Sequence, residues 1–307
     1  MKAIIYHYVR QYNPRLPNFR FLDIINFEKQ LDFFQEQFGF VRKDEWLKAI
    51  KRKKLGSAKG KVLLTFDDAI SCHYNYVYKI LKKRDLWGIF YVPTQPYQRD
   101  KMLDVHRIHL LCGAFEGLEL LELLKTFLDQ GMISDNRRKE FQEKKYRQDN
   151  YDGVSQFKKI LNYYVSYKYR EYLINLVADK LNYVFVNSEF YIPANKLKEI
   201  QLAGNIIGSH TVTHPLMSKL TQSEQLTEIN NSFRYLSSNI NLDVKTYCHP
   251  YGGFYSFNKD TVKTLENNRV DFSFNVEWRD ICDNDLTNSI QFLPRYDCNQ
   301  FPFGKIS

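Results

Sequence analysis

Cysteine is scarce in this chain, and its few positions suit neither of its usual structural tasks. Only Cys72, Cys112, Cys248, Cys282 and Cys298 occur among 307 residues, an odd number without CxxC spacing, which argues against a disulfide framework or a thiolate metal site. Reduced thiols in a cytoplasmic protein are expected, with peripheral contact to the inner membrane face left open. No stretch approaches the roughly 18 apolar residues of a membrane span, so no transmembrane segment is expected. The opening MKAIIYHYVR runs from one lysine directly into a strand-like segment, too short for a signal-peptide core and without a small-residue cleavage site. Internal repeats and low-complexity tracts are missing as well.

Acidic residues are outnumbered, 35 against 44 basic ones, for a net charge of +9. Such a balance favours anionic partners, phosphorylated sugars and lipid phosphates among them, and selects none; no nucleic acid partner is expected. The densest basic cluster, Lys48, Lys51, Arg52, Lys53, Lys54, Lys59 and Lys61, reads as a solvated helix end and loop. The remaining composition, 44% hydrophobic and 26% charged, is that of one globular core with room for an elaboration. Aromatics at 16% are plentiful enough for sugar-stacking surfaces, although most rings belong in a core.

Periodicity divides the chain into alternating strands and helices. Ala3 to Val9 reads as a first strand, Phe27 to Phe38 as a helix, Val62 to Phe66 as a buried strand, Asn75 to Leu81 as a helix and Gly88 to Val92 as a strand. From about 102 to 190 the pattern turns almost wholly helical, in LELLELLKTFL, NRRKEFQEKKYRQ and FKKILNYYVSYKYREYLINLVADKL. Alternation then resumes with a helix at Ala194 to Leu202, a strand at Asn205 to Ser209, a helix at Gln222 to Ser237, a strand at Val244 to Cys248 and a helix at Asn258 to Asn267. The result is a parallel α/β architecture with a helical insertion, in which catalytic groups gather at the C-terminal ends of strands.

Two motifs stand at such ends. Asp67 and Asp68 close LLTFDD, where a helix cap or a solvated pair is the plain alternative to a functional role. His210 and His214 lie in SHTVTH, and Pro215 disfavours helix at His214, so a strand followed by a tight turn lets two imidazoles converge with one carboxylate. Three such ligands leave coordination positions open, as catalytic zinc sites require.

With a third motif, the PYG of YCHPYGG at 250 to 252, the sequence resembles the NodB-homology polysaccharide deacetylases, carbohydrate esterase family 4. TFDD, SHTVTH and PYG occur in the family's order, and the YH near the N-terminus and the late LPR segment extend the likeness over most of the chain outside the insertion. The resemblance implies a distorted (β/α) barrel of about seven repeats, a single catalytic domain over 1–307 interrupted at about 102–190. It implies Asp67 as general base, Asp68, His210 and His214 as metal ligands, and Tyr251 as a cleft residue giving its backbone N–H to the oxyanion. The metal it implies is divalent, zinc first, with cobalt, nickel and manganese fitting the same donors.

Two departures from the family pattern matter. The arginine that usually precedes PY and orients the base is Cys248 here, so Arg295 of LPRYD is the suggested replacement; a surface pair of Arg295 with Asp297 is the alternative. No histidine follows His249, which vacates the family's usual position for the general acid. His7 and His249 are candidates for that role. His106, with His109 behind it, could contact substrate from the start of the insertion. Trp278 and Asp280 in EWRD loosely resemble a fourth motif, but a core tryptophan with a solvated acid is the preferred reading. Cys72 and His73 read as structural.

The expected reaction is hydrolytic N-deacetylation, or deformylation, of an N-acylated sugar. A nucleotide- or lipid-linked intermediate of surface-glycan biosynthesis suits a cytoplasmic protein best. A metal-dependent hydrolase of a non-sugar amide and a non-catalytic glycan-binding module are the alternatives. Oligomeric state is not legible.

Overall fold

The computed structural model describes residues 1–133, 137, 139 and 153–306. They form two compact units, one of 1–11, 21–101 and 187–307, the other of 12–20 with 102–186.

The first unit is built on seven strands: β1 Lys2–Tyr6, β2 Val62–Phe66, β3 Gly88–Val92, β4 Ile206–Ser209, β5 Thr246–Cys248, β6 Phe272–Phe274 and β7 Tyr296–Asp297. All neighbours run parallel, in the order β6-β5-β4-β3-β2-β1-β7. Leu293, just before β7, also bridges Phe274 of β6, so the last segment touches both ends of a curled sheet. Every residue of VLLTF and GIFYV is buried, the continuous apolar pattern of parallel strands covered on both faces.

Successive strand residues enter two different cores. Ile4, Leu64, Phe66 and Phe90 pack with Phe27, Leu31 and Phe34 of the helix Ile24–Gln37, whose start is fixed by Asp23 accepting from Ile25 N at 2.8 Å. Leu63, Ile89, Tyr91, Cys248 and Phe274 meet Trp46 in the other. The Tyr91 hydroxyl reaches Thr246 Oγ1 at 2.8 Å across the intervening β4, which identifies this second core as the barrel interior. Gly208 permits the crossing, because a Cβ there would stand 2.5 Å from the Tyr91 ring.

Several boundaries differ from the sequence reading. The first strand ends at Tyr6, and Val9–Arg10 pairs separately with Leu22–Asp23. The expected helix at Asn75 to Leu81 opens as a π-helical stretch, His73–Tyr78, before α-helical Lys79–Lys83. The basic cluster lies at a helix end and loop, with Lys51 to Lys54 exposed and Lys61 pairing with Glu45 at 2.9 Å.

The second unit is helical, with Asp104–Ala114, Gly117–Phe127, Gly153–Lys159 and Tyr167–Lys180 around Ile108, Leu111, Leu120, Leu124, Phe157, Leu173 and Val177. Residues 12–20, which lie outside the insertion expected at about 102–190, also belong to this unit. The expected helix in NRRKEFQEKKYRQ lies outside the described residues except Arg137 and Lys139. Among the described residues, no helix is long and apolar enough to cross a membrane.

Candidate metal and active site

Asp67, His210 and His249 each stand one residue beyond a strand, where the sheet's hydrogen bonding still holds the chain. Asp67 N donates to Tyr6 O at 3.0 Å, His210 N to Val92 O at 3.0 Å and His249 N to Phe274 O at 3.0 Å. The chain then turns sharply. Asp68, Thr211, His214 and Tyr251 have φ of 78°, 65°, 55° and 65°, left-handed values that cost energy in non-glycine residues and collect where surrounding structure enforces a functional geometry.

These turns bring Asp68, His210 and His214 together. Asp68 Oδ1 lies 3.5 Å from His210 Nε2 and 3.7 Å from His214 Nε2, and one donor atom from each residue lies within 4.8 Å of the others. Two donors about 2.1 Å from a tetrahedral cation stand roughly 3.4 Å apart, so the spacing fits a single divalent ion. The tautomer fits too. His210 Nδ1 donates to Cys248 O at 2.9 Å, which leaves the Nε2 lone pair facing Asp68. Burial lowers the His210 pKa, against the raising effect of both aspartates, and so favours the neutral imidazole that a metal ligand requires.

Asp67 is drawn elsewhere. Arg295 Nη1 donates to Asp67 Oδ1 and Nη2 to Oδ2, both at 2.9 Å. The guanidinium is fully buried, not on the surface beside Asp297; Thr65 Oγ1 accepts from its Nη1 at 3.0 Å and Asn275 O from its Nε at 3.2 Å. Burial alone would raise the Asp67 pKa, but the facing Arg295 and His210 outweigh it and hold the carboxyl well below the usual carboxylate range. Asp67, His210 and Cys248 form a second group of close donors. There the cation is already present, because Arg295 occupies both Asp67 oxygens and approaches Cys248 Sγ at 2.8 Å.

Cys248 is a participant that sequence reasoning missed. Its thiol donates to Asp67 Oδ2 at 3.2 Å, and burial with the Asp67 charge keeps it protonated, against the opposing pull of Arg295. A cysteine in the position of an expected arginine was the available signal. Thr65 and Asn275 were also missed, since their roles depend on where Arg295 lands.

The remaining candidates divide. Tyr251 stacks at a tilt on His214, ring centroids 4.9 Å apart, within a run of three left-handed residues completed by Gly252 and Gly253. His7 follows β1, is half-buried, and lies near enough that its charge lowers the Asp67 pKa. His249 is turned into the wall. Its ring stacks on Phe257 at 3.9 Å, its Nε2 donates to Gln291 O at 2.8 Å, and burial pushes its pKa down to about 3, so near neutral pH it is uncharged and its one N–H is engaged by Gln291. His106 is fully buried. Trp278 is 61% exposed, not a core residue, and Asp280 is tied to Lys2 at 2.9 Å and Tyr296 at 3.0 Å. His73 is buried, donating through Nε2 to His7 O.

Residues 169–272 match the sequence profile of the polysaccharide deacetylase family, a span that contains His210, His214 and Tyr251 and stops short of the aspartates. No curated protein matches by sequence. Among solved structures, a Streptococcus pyogenes deacetylase, PplD, in complex with acetate is 18% identical with a TM-score of 0.59, covering 97% of this chain and 91% of its own. A polysaccharide deacetylase from Bacillus cereus gives 12% identity and a TM-score of 0.57 over 96% of this chain and 64% of that one. IcaB from Ammonifex degensii gives 15% and 0.50 over 89% and 82%. At these identities the structural likeness is one of fold. This chain thus shares its fold with solved deacetylases, and its segment 169–272 is similar in sequence to the polysaccharide deacetylase family.

Proposed function

We propose that the protein is a divalent-metal-dependent N-deacetylase acting on an N-acetylated sugar, with Asp68, His210 and His214 as ligands and zinc as the metal. The observation that carries this reading is the parting of adjacent aspartates, Asp68 toward two imidazoles and Asp67 toward a buried arginine. A cation held by that donor set would polarise the amide carbonyl and acidify water. Asp67 is the base that takes the water proton. Its pairing with Arg295 makes it weaker than an ordinary carboxylate, so it depends on water that has been acidified; bulk water, with a pKa near 15.7, is beyond it.

Arg295 positions Asp67 through both carboxylate oxygens and keeps it ionised. Tyr251, held in a left-handed turn beside His214, offers its backbone N–H to the developing oxyanion and its ring to the cleft wall. Protonation of the departing amine falls to His7, which is half-buried at the end of β1 and within electrostatic reach of Asp67. The net charge of +9 supports a phosphate-bearing substrate, such as a nucleotide- or lipid-linked sugar of surface-glycan biosynthesis.

The test is metal content after purification, followed by assays of acetate and formate release from N-acylated sugars and their nucleotide- and lipid-linked forms. We expect one bound divalent ion and acetate release from a sugar substrate. Bound metal without release from any sugar would turn the reading to a non-sugar amide. Absence of metal uptake would turn it to a glycan-binding module.

A further inference from the structure

We infer that Glu228 is a positioning residue for the turn that carries the metal ligands and that its carboxylate sets the affinity of the site for a divalent cation. The inference rests on the metal reading above. Glu228 lies on the helix Gln222–Asn239, fourteen residues beyond His214 and outside all three motifs. Its Oε2 accepts from two consecutive backbone amides, Val212 N at 2.8 Å and Thr213 N at 2.9 Å, while Oε1 accepts from Thr213 Oγ1 at 2.7 Å. One side chain thus gathers three donors from the four residues between and including Thr211 and His214. A charged acceptor holds such donors more strongly than a neutral one.

The other side of the turn is held as well. Thr94 N and Gln95 N donate to Thr211 O at 3.1 Å and Val212 O at 2.9 Å. Ser232, one helical turn after Glu228, bonds Ser209 Oγ at 2.6 Å, so the same helix face grips the turn at its entry and its middle. What lies between these clamps is strained, because Thr211 and His214 are both left-handed and neither has glycine's freedom. Without Glu228, two adjacent amides and a hydroxyl lose their acceptor and the turn is released from one side. His214 then no longer holds its ring at the Asp68 distance without help from the cation. The predicted loss is therefore in ligand preorganisation, outside the ligand set itself.

The experiment compares the parent with Glu228→Ala, Glu228→Gln and Thr213→Val. Metal-free near-ultraviolet circular dichroism and Tm report the fold, competition with a chelator gives zinc affinity, and the visible spectrum of the cobalt form reports ligand geometry. Glu228→Ala should bind zinc about 10- to 100-fold more weakly with a shifted cobalt spectrum and a parent-like metal-free fold. Glu228→Gln, which keeps one acceptor, and Thr213→Val, which removes one donor, should lose less. If Glu228→Ala does not fold, the two milder variants carry the comparison. Zinc affinity within twofold of the parent in every folded variant overturns this inference alone. Failure of the parent to bind any divalent ion overturns the metal reading and this inference with it.

Discussion

Arg295 and Asp67, 228 positions apart in the chain, face each other through two parallel 2.9 Å hydrogen bonds with neither residue more than 2% exposed. Arginine suits this task because its fork matches both carboxylate oxygens, whereas lysine would present a single point charge. Arg295→Lys should therefore lower turnover by more than about tenfold while leaving bound metal unchanged, since the metal ligands lie on the other aspartate's side. Arg295→Ala should also lose stability, on the order of 3–5 kcal/mol for an orphaned buried charge. Parallel measurements of kcat, metal content and Tm check both variants; unchanged turnover in Arg295→Lys would remove the arginine from the mechanism.

The two candidate acids make opposite predictions. A general acid must be protonated to act, so its loss removes the fall in rate on the basic side of the pH profile. His7→Ala should abolish that basic limb and reduce kcat by about 10²-fold or more. His249→Gln should retain the limb, because His249 is already neutral and engaged with Gln291 and Phe257. Profiles of kcat against pH for both variants decide the matter.

Burial of histidine also predicts acid sensitivity. Burial pushes His73 down to about 4 and His249 down to about 3, against roughly 6.5 in an unfolded chain. Between those values the unfolded state binds protons that the native state refuses, so stability is full above about pH 6.5 and falls as the pH drops toward 4 and 3. The window from about 6.5 to 5 isolates the histidines, since carboxylates titrate lower. Urea unfolding of metal-free protein at pH 7, 6 and 5 should show a declining midpoint, and His249→Gln should flatten the decline. An equal slope in the variant would contradict the buried neutral state of His249.

The strands were legible because parallel, doubly covered strands leave continuous apolar runs, and Val62 to Phe66 and Gly88 to Val92 carry that pattern without interruption. The loop at 12–20 was not, since it has no periodicity to say which unit it joins. Nor could periodicity distinguish the π-helical start at His73 from an α-helix, for the two differ by one residue per hydrogen-bonded turn. At the site, the motifs named the residues that meet near Asp68. They did not show that Cys248 gives its carbonyl to His210 and its thiol to Asp67, or that Glu228 holds the histidine turn. Such contacts depend on tertiary placement and leave no local signature. Trp278 was misread for the complementary reason, because a tryptophan in sequence carries no mark of whether a core will close over it.

Adjacent aspartates with separate tasks should respond differently to substitution, and metal content of Asp67→Asn and Asp68→Asn beside the parent measures that difference. Asp68→Asn should lose the bound ion and, with it, turnover. Asp67→Asn should keep the ion at the parent's stoichiometry and still lose turnover, because its carboxylate faces Arg295 and not the two imidazoles. Equal loss of metal in the two variants would mean that the two carboxylates do not divide the work.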